Sequence, residues 1–144
     1  MRNTLLTLLL ALGVVLPPAH AQDAATSDAL YRALGGKPGI TTIVEDFVTR
    51  MVADPRISPM FKNTKLPNLK EQIRDQFCML SGGPCKYEGD TMKVSHKDLG
   101  ITKANFNQVV EHLQRALDAN EVPFRDQNRL LALLAPMHRD IVTR

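Results

Sequence analysis

The residue of this chain that most directly raises a chemical question is a histidine in a loop. His96 lies in GGPCKYEGDTMKVSHKDLG, residues 82–100, a stretch poor in helix-forming signals. A connection of this length is unusual, because two to eight residues normally join neighbouring helices. Long ordered loops often carry function. What this imidazole can do depends on the side chains around it.

Two other histidines follow, His112 and His138. We expect His112 at the surface or boundary of its helix and His138 to be exposed. Neither has a second ligand three or four residues away, so a zinc site would need distant partners. The sequence also contains no Ser-His-Asp arrangement and no phosphate-binding glycine loop.

The two cysteines, Cys78 and Cys85, leave two interpretations open. They form a disulfide, or they are separate thiols. Bridging requires Cα atoms within about 7 Å of each other, which depends on how sharply the chain turns at residues 82–84. No Cys-x-x-Cys-His sequence occurs, so nothing suggests covalent haem attachment.

The N-terminal segment has the layout of a secretory signal peptide. Arg2 precedes an apolar run over residues 5–16, and Ala19-His20-Ala21 follows as a cleavage site. The run is too short for a spanning helix of about 20 residues, which makes an uncleaved anchor the weaker alternative. We therefore predict a signal peptide over residues 1–21, a domain over residues 22–144, and export to the periplasm.

The charge balance limits the possible partners. Of 18 basic residues, removal of Arg2 leaves 17 against 15 acidic residues, a net charge of +2. This is too little for a nucleic-acid or anionic-membrane surface, and no basic cluster stands out. We expect no nucleic-acid and no membrane partner.

Apolar residues recur at helical spacing in four long segments. A short helix from Asp28 to Leu34, capped by Ser27 and ended by Gly35-Gly36, precedes them. Thr102 caps the third long helix, Pro123 opens the fourth, and Pro136 should kink or loosen it. No segment alternates with period two, so we predict an all-α domain. The four inward faces are Ile40, Ile43, Val44, Phe47, Val48 and Met51; Leu66, Leu69, Ile73, Phe77 and Leu80; Phe106, Val109, Val110, Leu113 and Leu117; and Leu130, Leu133, Leu134, Met137 and Ile141.

These faces give His96 a possible role. Met92 and Val94 precede it, so a short helical turn can present its imidazole inward, opposite the second apolar face. One imidazole facing an apolar, partly aromatic cavity suits a haem iron. The alternative is that the same apolar side chains form an ordinary core.

Several motifs together resemble the group I truncated haemoglobins. In order and spacing they are LYRALGG, IVEDF, ADPRISPMF, LSGGPCKYEGDTMKVSHKDLGIT and LAPMHRDIV. The match runs from about Leu30 to Val142. Each motif is weak alone, and their combination is specific.

The resemblance implies a two-over-two helical sandwich around a non-covalent haem b, with His96 as the fifth ligand of the iron. It places Lys86 where a propionate contact is possible, although a solvated charge would look the same. The distal ligand pocket would be formed by Phe47, Val48, Leu69 and Ile73. The haem-contacting positions are Phe47, Phe61, Leu69, Ile73, Phe77, Tyr87, Met92, Val94, Ile101 and Phe106.

One departure from the family concerns ligand binding. Val48 stands where members of the family usually carry a tyrosine that donates a hydrogen bond to bound O2. The nearest polar candidates are Gln72 and Gln76, and both could instead face solvent. Since a donor to a partly charged ligand contributes about 1.5–3 kcal/mol, its loss would weaken O2 binding roughly ten- to a hundredfold.

The resemblance implies reversible binding of O2, NO or CO as the leading function, and the missing tyrosine implies faster oxidation to ferric haem. An alternative is a periplasmic haem redox protein that acts on NO or peroxide. That function would need a reductase or other electron donor, which the sequence does not identify. A third possibility is a haem-free helical binding module.

Overall fold

The structure is a computed structural model that describes residues 27–144. The predicted signal peptide and its cleavage site lie outside these residues. Within them the chain forms helices and no strand, as the apolar periodicity predicts. The α-helices are α1 (Ala29–Ala33), α2 (Gly36–Ala53), α3 (Leu66–Leu80), α4 (Met92–Ser95), α5 (Lys103–Ala119), α6 (Phe124–Leu134) and α7 (His138–Ile141), with 3-10 turns at Ser58–Phe61 and Ala135–Met137.

Four long helices form the body of the domain. Helix α2 packs against α3 and α5, and α6 packs against α3 and α5. The short helix α1 contacts α2 and α6, while α4 contacts α7. The two pairs of long helices give the two-over-two arrangement that the motif resemblance implies.

Helix α2 is the centre of the core. All six residues of its predicted inner face are buried. Ahead of it, Gly35 and Gly36 have φ angles of 82° and 64°, a left-handed conformation that glycine adopts without steric cost. The predicted cap of α1 is wrong by one residue, because Asp28 and not Ser27 occupies the N-cap position.

Helix α3 ends at a turn that brings the two cysteines together. Gly82 has a φ of 89°, and a Cβ there would lie 1.9 Å from the Ser27 carbonyl oxygen, so only glycine fits. The chain reverses sharply enough for Cys78 and Cys85 to form a disulfide, with their Cα atoms 5.7 Å apart. The structure thus decides the question that the sequence left open.

Helix α5 begins with the predicted cap. The Thr102 hydroxyl accepts from the Asn105 amide at 3.2 Å, and the Asn105 side-chain oxygen accepts from the Thr102 amide at 3.0 Å. Helix α6 follows Pro123, and Pro136 tightens its end into a 3-10 turn. Leu133, predicted to face inward, is 40% exposed.

No helix among residues 27–144 is long and apolar enough to cross a membrane.

Candidate functional site

Helix α4 is a single turn that carries His96 at its C-terminal end. The Thr91 hydroxyl caps it by accepting from the Val94 amide at 3.3 Å. The turn cannot continue, because Asp98 and Gly100 adopt positive φ angles of 64° and 61°. His96 is therefore held at a helix terminus, half-buried, rather than within a helix.

The hydrogen bond of the His96 ring fixes which nitrogen can bind a metal. Its Nδ1 lies 2.8 Å from the Met92 carbonyl oxygen and 3.1 Å from the Ser95 hydroxyl oxygen. A carbonyl only accepts, so Nδ1 carries the proton and the lone pair is on Nε2. This is the arrangement in which proteins usually orient a metal-binding histidine.

The other donor atoms nearby do not complete a metal site. No group of three or more histidine, cysteine, aspartate or glutamate side chains in the described part of the chain could hold a metal ion. A metal bound by His96 alone would need further ligands from a cofactor. An iron porphyrin provides them, because the macrocycle supplies four nitrogens.

The predicted distal residues lie on α2 and α3 and form an apolar wall. Val48 is fully buried, Phe47 is buried, and Leu69 and Ile73 are half-buried against the same core. Phe47 stacks with Phe77 at a ring-centroid distance of 6.4 Å. None of these side chains can donate a hydrogen bond.

The remaining predicted contact residues differ in burial. Ile101 is buried, and Phe61, Met92 and Phe106 are half-buried. Val94 is 57% exposed, so its packing among the described residues does not support the predicted contact with the haem. The role of each residue toward a cofactor remains a prediction.

The loop after α3 brings polar groups close to that helix. The Tyr87 hydroxyl donates to the Asp90 carbonyl oxygen at 2.7 Å. Burial, and to a lesser extent the Asp90 carboxylate, raises the pKa of Tyr87, which remains a protonated donor at neutral pH. A Cβ on Gly89 would lie 2.2 Å from Gln72 Oε1 and 2.6 Å from the Tyr87 hydroxyl oxygen. Lys86 is exposed.

The expectation that both glutamines could face solvent is wrong for Gln76. It is 9% exposed, and its Nε2 lies 3.7 Å from Met92 Sδ and 3.8 Å from Met137 Sδ. Gln72 is half-buried, and its Oε1 is buried with no hydrogen-bond partner.

His112 and His138 are both less exposed than predicted. His112 is only 6% exposed, and its Nε2 donates to Asp54 Oδ2 at 2.8 Å. Sequence reasoning missed this pair because its members are 58 residues apart and no local pattern connects them. The His138 ring is half-buried and meets Phe106 edge-on, with a centroid distance of 4.8 Å.

Comparison with known sequences identifies the family. A family profile described as bacterial-like globin matches residues 29–143. A group 1 truncated haemoglobin from Mycolicibacterium paratuberculosis is 35% identical over 115 residues, covering 80% of this chain and 85% of the relative. Another from Chlamydomonas moewusii is 31% identical over 119 residues, covering 79% of this chain and 68% of the relative.

Solved structures show the same fold. The truncated haemoglobin from Tetrahymena pyriformis in its Fe(III) form has a TM-score of 0.76 and 28% identity, covering 80% of this chain and 98% of that chain. The 2/2 haemoglobin from Synechococcus, in the cyanomet state with covalently attached haem, has a TM-score of 0.74, 26% identity and the same coverage. These likenesses confirm the predicted two-over-two helical sandwich.

The residues present fit a haem, since His96 offers one oriented nitrogen and α2 and α3 offer an apolar, partly aromatic wall. The motif resemblance seen in the sequence is confirmed by the family match. The chain belongs to the bacterial-like globin family, among the group 1 truncated haemoglobins, and its cofactor is haem.

Proposed function

We propose that this chain binds diatomic ligands, O2, NO or CO, reversibly at a haem whose iron is held by His96. The observation that carries the proposal is the hydrogen bond from His96 Nδ1 to the Met92 carbonyl, which leaves Nε2 free to bind iron. This bond also fixes the ring plane and makes the imidazole a stronger base. A haem held there would supply an iron able to bind a small ligand.

The distal wall supports ligand binding more than a sixth protein ligand. Val48, Leu69 and Ile73 contain no atom that ligates iron. His112 is held by Asp54, and His138 packs against Phe106. An open position is the condition for binding a small ligand from solution.

The absence of a hydrogen-bond donor in this wall lowers the affinity for O2 relative to that for CO. A bound O2 carries partial negative charge and gains from a donor, whereas CO gains much less. Because Val48 replaces the tyrosine expected from the family, we infer weaker O2 binding relative to CO and faster oxidation to the ferric state.

The experiment adds hemin to the purified protein and records its Soret band, then repeats this with His96→Ala. We expect wild type to take up one equivalent of haem and to bind CO after reduction. His96→Ala should lose or shift the band, and free imidazole should restore it by replacing the missing nitrogen.

His138→Ala is the matched control, since it removes the other half-buried histidine. It should keep the wild-type spectrum. A wild-type spectrum in His96→Ala, or the loss of the band in His138→Ala alone, would contradict the proposed ligand.

A second candidate is a haem redox protein that acts on NO or peroxide and takes electrons from a donor protein. The absence of a hydrogen-bond donor at Val48 favours this redox role. Faster oxidation of the haem to the ferric state means that a reductant must restore the ferrous state before each new cycle. Stopped-flow mixing of the O2-saturated ferrous protein with NO, beside a peroxidase assay, separates the two candidates. Fast nitrate formation or peroxide turnover would favour the redox role.

We also propose that the protein is exported to the periplasm after cleavage behind Ala21. The Cys78–Cys85 disulfide supports this location, because such bonds persist in oxidising compartments. Cell fractionation and N-terminal sequencing test it. A chain recovered from the cytoplasm with residues 1–21 intact would contradict it.

A further inference from the structure

We propose that the face formed by α4, α7 and residues 142–144 is a docking surface for an acidic protein that donates electrons to the haem. The inference rests on the proposed function, since a haem that oxidises readily must be reduced again. It gives the electron donor a place on the fold and a surface chemistry.

The fold brings together basic side chains that are far apart in the sequence. Helix α4 packs against α7, and the Thr143 and Arg144 amides donate to the Ile101 carbonyl oxygen at 3.0 and 3.2 Å. An open hollow of about 500 Å³ lies between these segments. The charged side chains that line it are the basic residues Lys93, Lys97, Arg139 and Arg144, which define the basic face, and the acidic residues Asp98 and Asp140.

The four charges of the basic face are not neutralised by neighbouring carboxylates. All four side chains are exposed, and among residues 27–144 none of them forms an ion pair, either with Asp98 and Asp140 or elsewhere. The Arg144 guanidinium packs against Gly100, where a Cβ would lie 3.2 Å from its Cζ. Unpaired charges of one sign attract an oppositely charged surface and speed its approach.

The exposure of these side chains favours a protein partner over a small anion. A pocket for a small ligand normally buries most of the surface of that ligand, whereas the charged side chains of this hollow all face solvent. A single exposed ion pair contributes little, so a partner must offer several carboxylates at once. An acidic protein surface meets this condition.

Two exposed apolar side chains lie beside the basic face. Val94 is 57% exposed and Leu99 is 41% exposed. The Lys97 amide donates to the Val94 carbonyl oxygen at 3.2 Å, and Leu99 lines a neighbouring hollow that shares Asp98 with the first. Protein interfaces combine apolar residues with a polar, charged rim, and electron-transfer complexes are small and transient.

The basic face lies next to the proposed ligand of the iron. His96 is followed directly by Lys97 in the chain. Electron transfer slows steeply as the distance between donor and acceptor grows, so docking beside His96 favours it. The donor protein loses one electron as Fe(III) is reduced to Fe(II), and no atom is transferred.

Flavodoxin, a small acidic flavoprotein that donates one electron at a time, serves as the probe. Isothermal titration of the CO-bound ferrous protein with oxidised flavodoxin measures binding without electron transfer. Stopped-flow absorbance then measures how fast reduced flavodoxin reduces the ferric protein. We compare wild type with Lys97→Glu/Arg139→Glu and with the matched control Lys37→Glu/Arg125→Glu, which makes the same change of charge at exposed residues of α2 and α6.

For Lys97→Glu/Arg139→Glu we expect binding weaker and reduction slower by about tenfold or more at low ionic strength. Added salt should shrink both differences, because it screens exposed charges. The Soret band and CO binding should match wild type in both variants, and the control should also keep the binding and reduction of wild type. Lys97→Gln/Arg139→Gln, which removes the charges without reversing them, provides the same test if the reversed variant does not fold.

Equal binding and reduction in wild type and Lys97→Glu/Arg139→Glu would overturn the inference. An equal loss in the control variant would also overturn it, since net charge and not this face would then be responsible. Tight binding of inorganic phosphate without binding of flavodoxin would assign the hollow to a small anion instead. If wild type takes up no haem or binds no CO, the proposed function itself fails, so the two failures are distinguishable.

Discussion

At the scale of single residues, we expect two side chains to decide the chemistry of the proposed pocket. His96 has one nitrogen occupied by the Met92 carbonyl and presents the other as a base. Val48, which the motif resemblance places where the family usually has a hydrogen-bond donor, is fully buried. In the proposed function, His96 therefore keeps the iron ligand of the family, whereas Val48 departs from its usual hydrogen-bond donor.

Val48→Tyr should restore a donor to the distal side. We expect O2 dissociation to slow by roughly ten- to a hundredfold, because a donor to a partly charged ligand contributes about 1.5–3 kcal/mol. Stopped-flow displacement of O2 by CO measures the rate. Since Val48 is fully buried, the larger ring should also lower the free energy of unfolding by about 1–3 kcal/mol.

Val48→Phe is the matched control, because it adds the ring without the hydroxyl. The difference between the tyrosine and phenylalanine variants isolates the hydrogen bond from the effect of bulk. Equal O2 dissociation rates in the two variants would show that the hydroxyl does not reach the ligand.

At the scale of elements, the site depends on how α3 is joined to α4. Helix α3 carries Leu69, Ile73 and Gln76, and the loop after it leads to His96. The Cys78–Cys85 disulfide ties the end of α3 to the start of that loop. Cys78 is buried in the core, which makes the junction a fixed point rather than a free linker.

Reduction of the disulfide should destabilise the protein and loosen the loop between α3 and α4. Closing a loop of this size contributes about 2–3 kcal/mol by chain entropy. We expect a reductant to lower the free energy of unfolding by about that amount, and to change CO rebinding because α4 is less restrained. Denaturant unfolding and flash photolysis, with and without the reductant, measure the two effects.

The double variant Cys78→Ala/Cys85→Ala serves as the control for other effects of the reductant, because it contains no bond to break. It should not respond to the reductant. Wild-type CO rebinding that stays constant on reduction would contradict the expected effect of the disulfide on α4, even if stability falls.

At the scale of the whole molecule, the buried Asp54 carboxylate joins distant parts of the fold. Asp54, at the C-cap of α2, accepts from His112 on α5 and from the Arg56 guanidinium at 2.6–3.1 Å. The hydrogen bonds from Arg56, followed by that from His112, hold the pKa of Asp54 well below its usual range, although burial acts in the opposite direction. The His112 Nδ1 is buried without a partner.

Asp54→Asn should destabilise the protein in a pH-dependent way. The lowered pKa means that ionised Asp54 stabilises the fold above about pH 4, its usual unfolded value, and that this contribution is lost on acidification. We expect the stability difference between wild type and the variant to be largest at neutral pH and to shrink toward pH 3. Guanidinium unfolding of the haem-loaded proteins, followed by far-UV circular dichroism, measures it.

Asp46→Asn is the control for that prediction, since Asp46 pairs with Arg50 on the partly exposed surface of α2. Such pairs contribute little. A difference between wild type and Asp54→Asn that stays constant from pH 7 to pH 3 would show that the Asp54 charge is not the stabilising feature.

The sequence by itself determined the features that depend on near neighbours. The inner face of α2, the cap at Thr102 and the interruption of the last helix at Pro136 follow from spacings of a few residues. The sequence also singled out His96 as the candidate iron ligand, because it lies in a long loop among motifs whose combination is specific to the family. Such signals are local, since a helical turn repeats every 3.6 residues.

Only the tertiary structure decided which residues meet across longer distances. The pairing of Asp54 with His112, the burial of Gln76 between two methionine sulfurs, and the contact of His138 with Phe106 depend on helix packing. The disulfide likewise depended on the angle of one turn. Periodicity indicates which face of a helix is apolar, but it does not indicate which helix that face meets, so these contacts could not be read from the sequence.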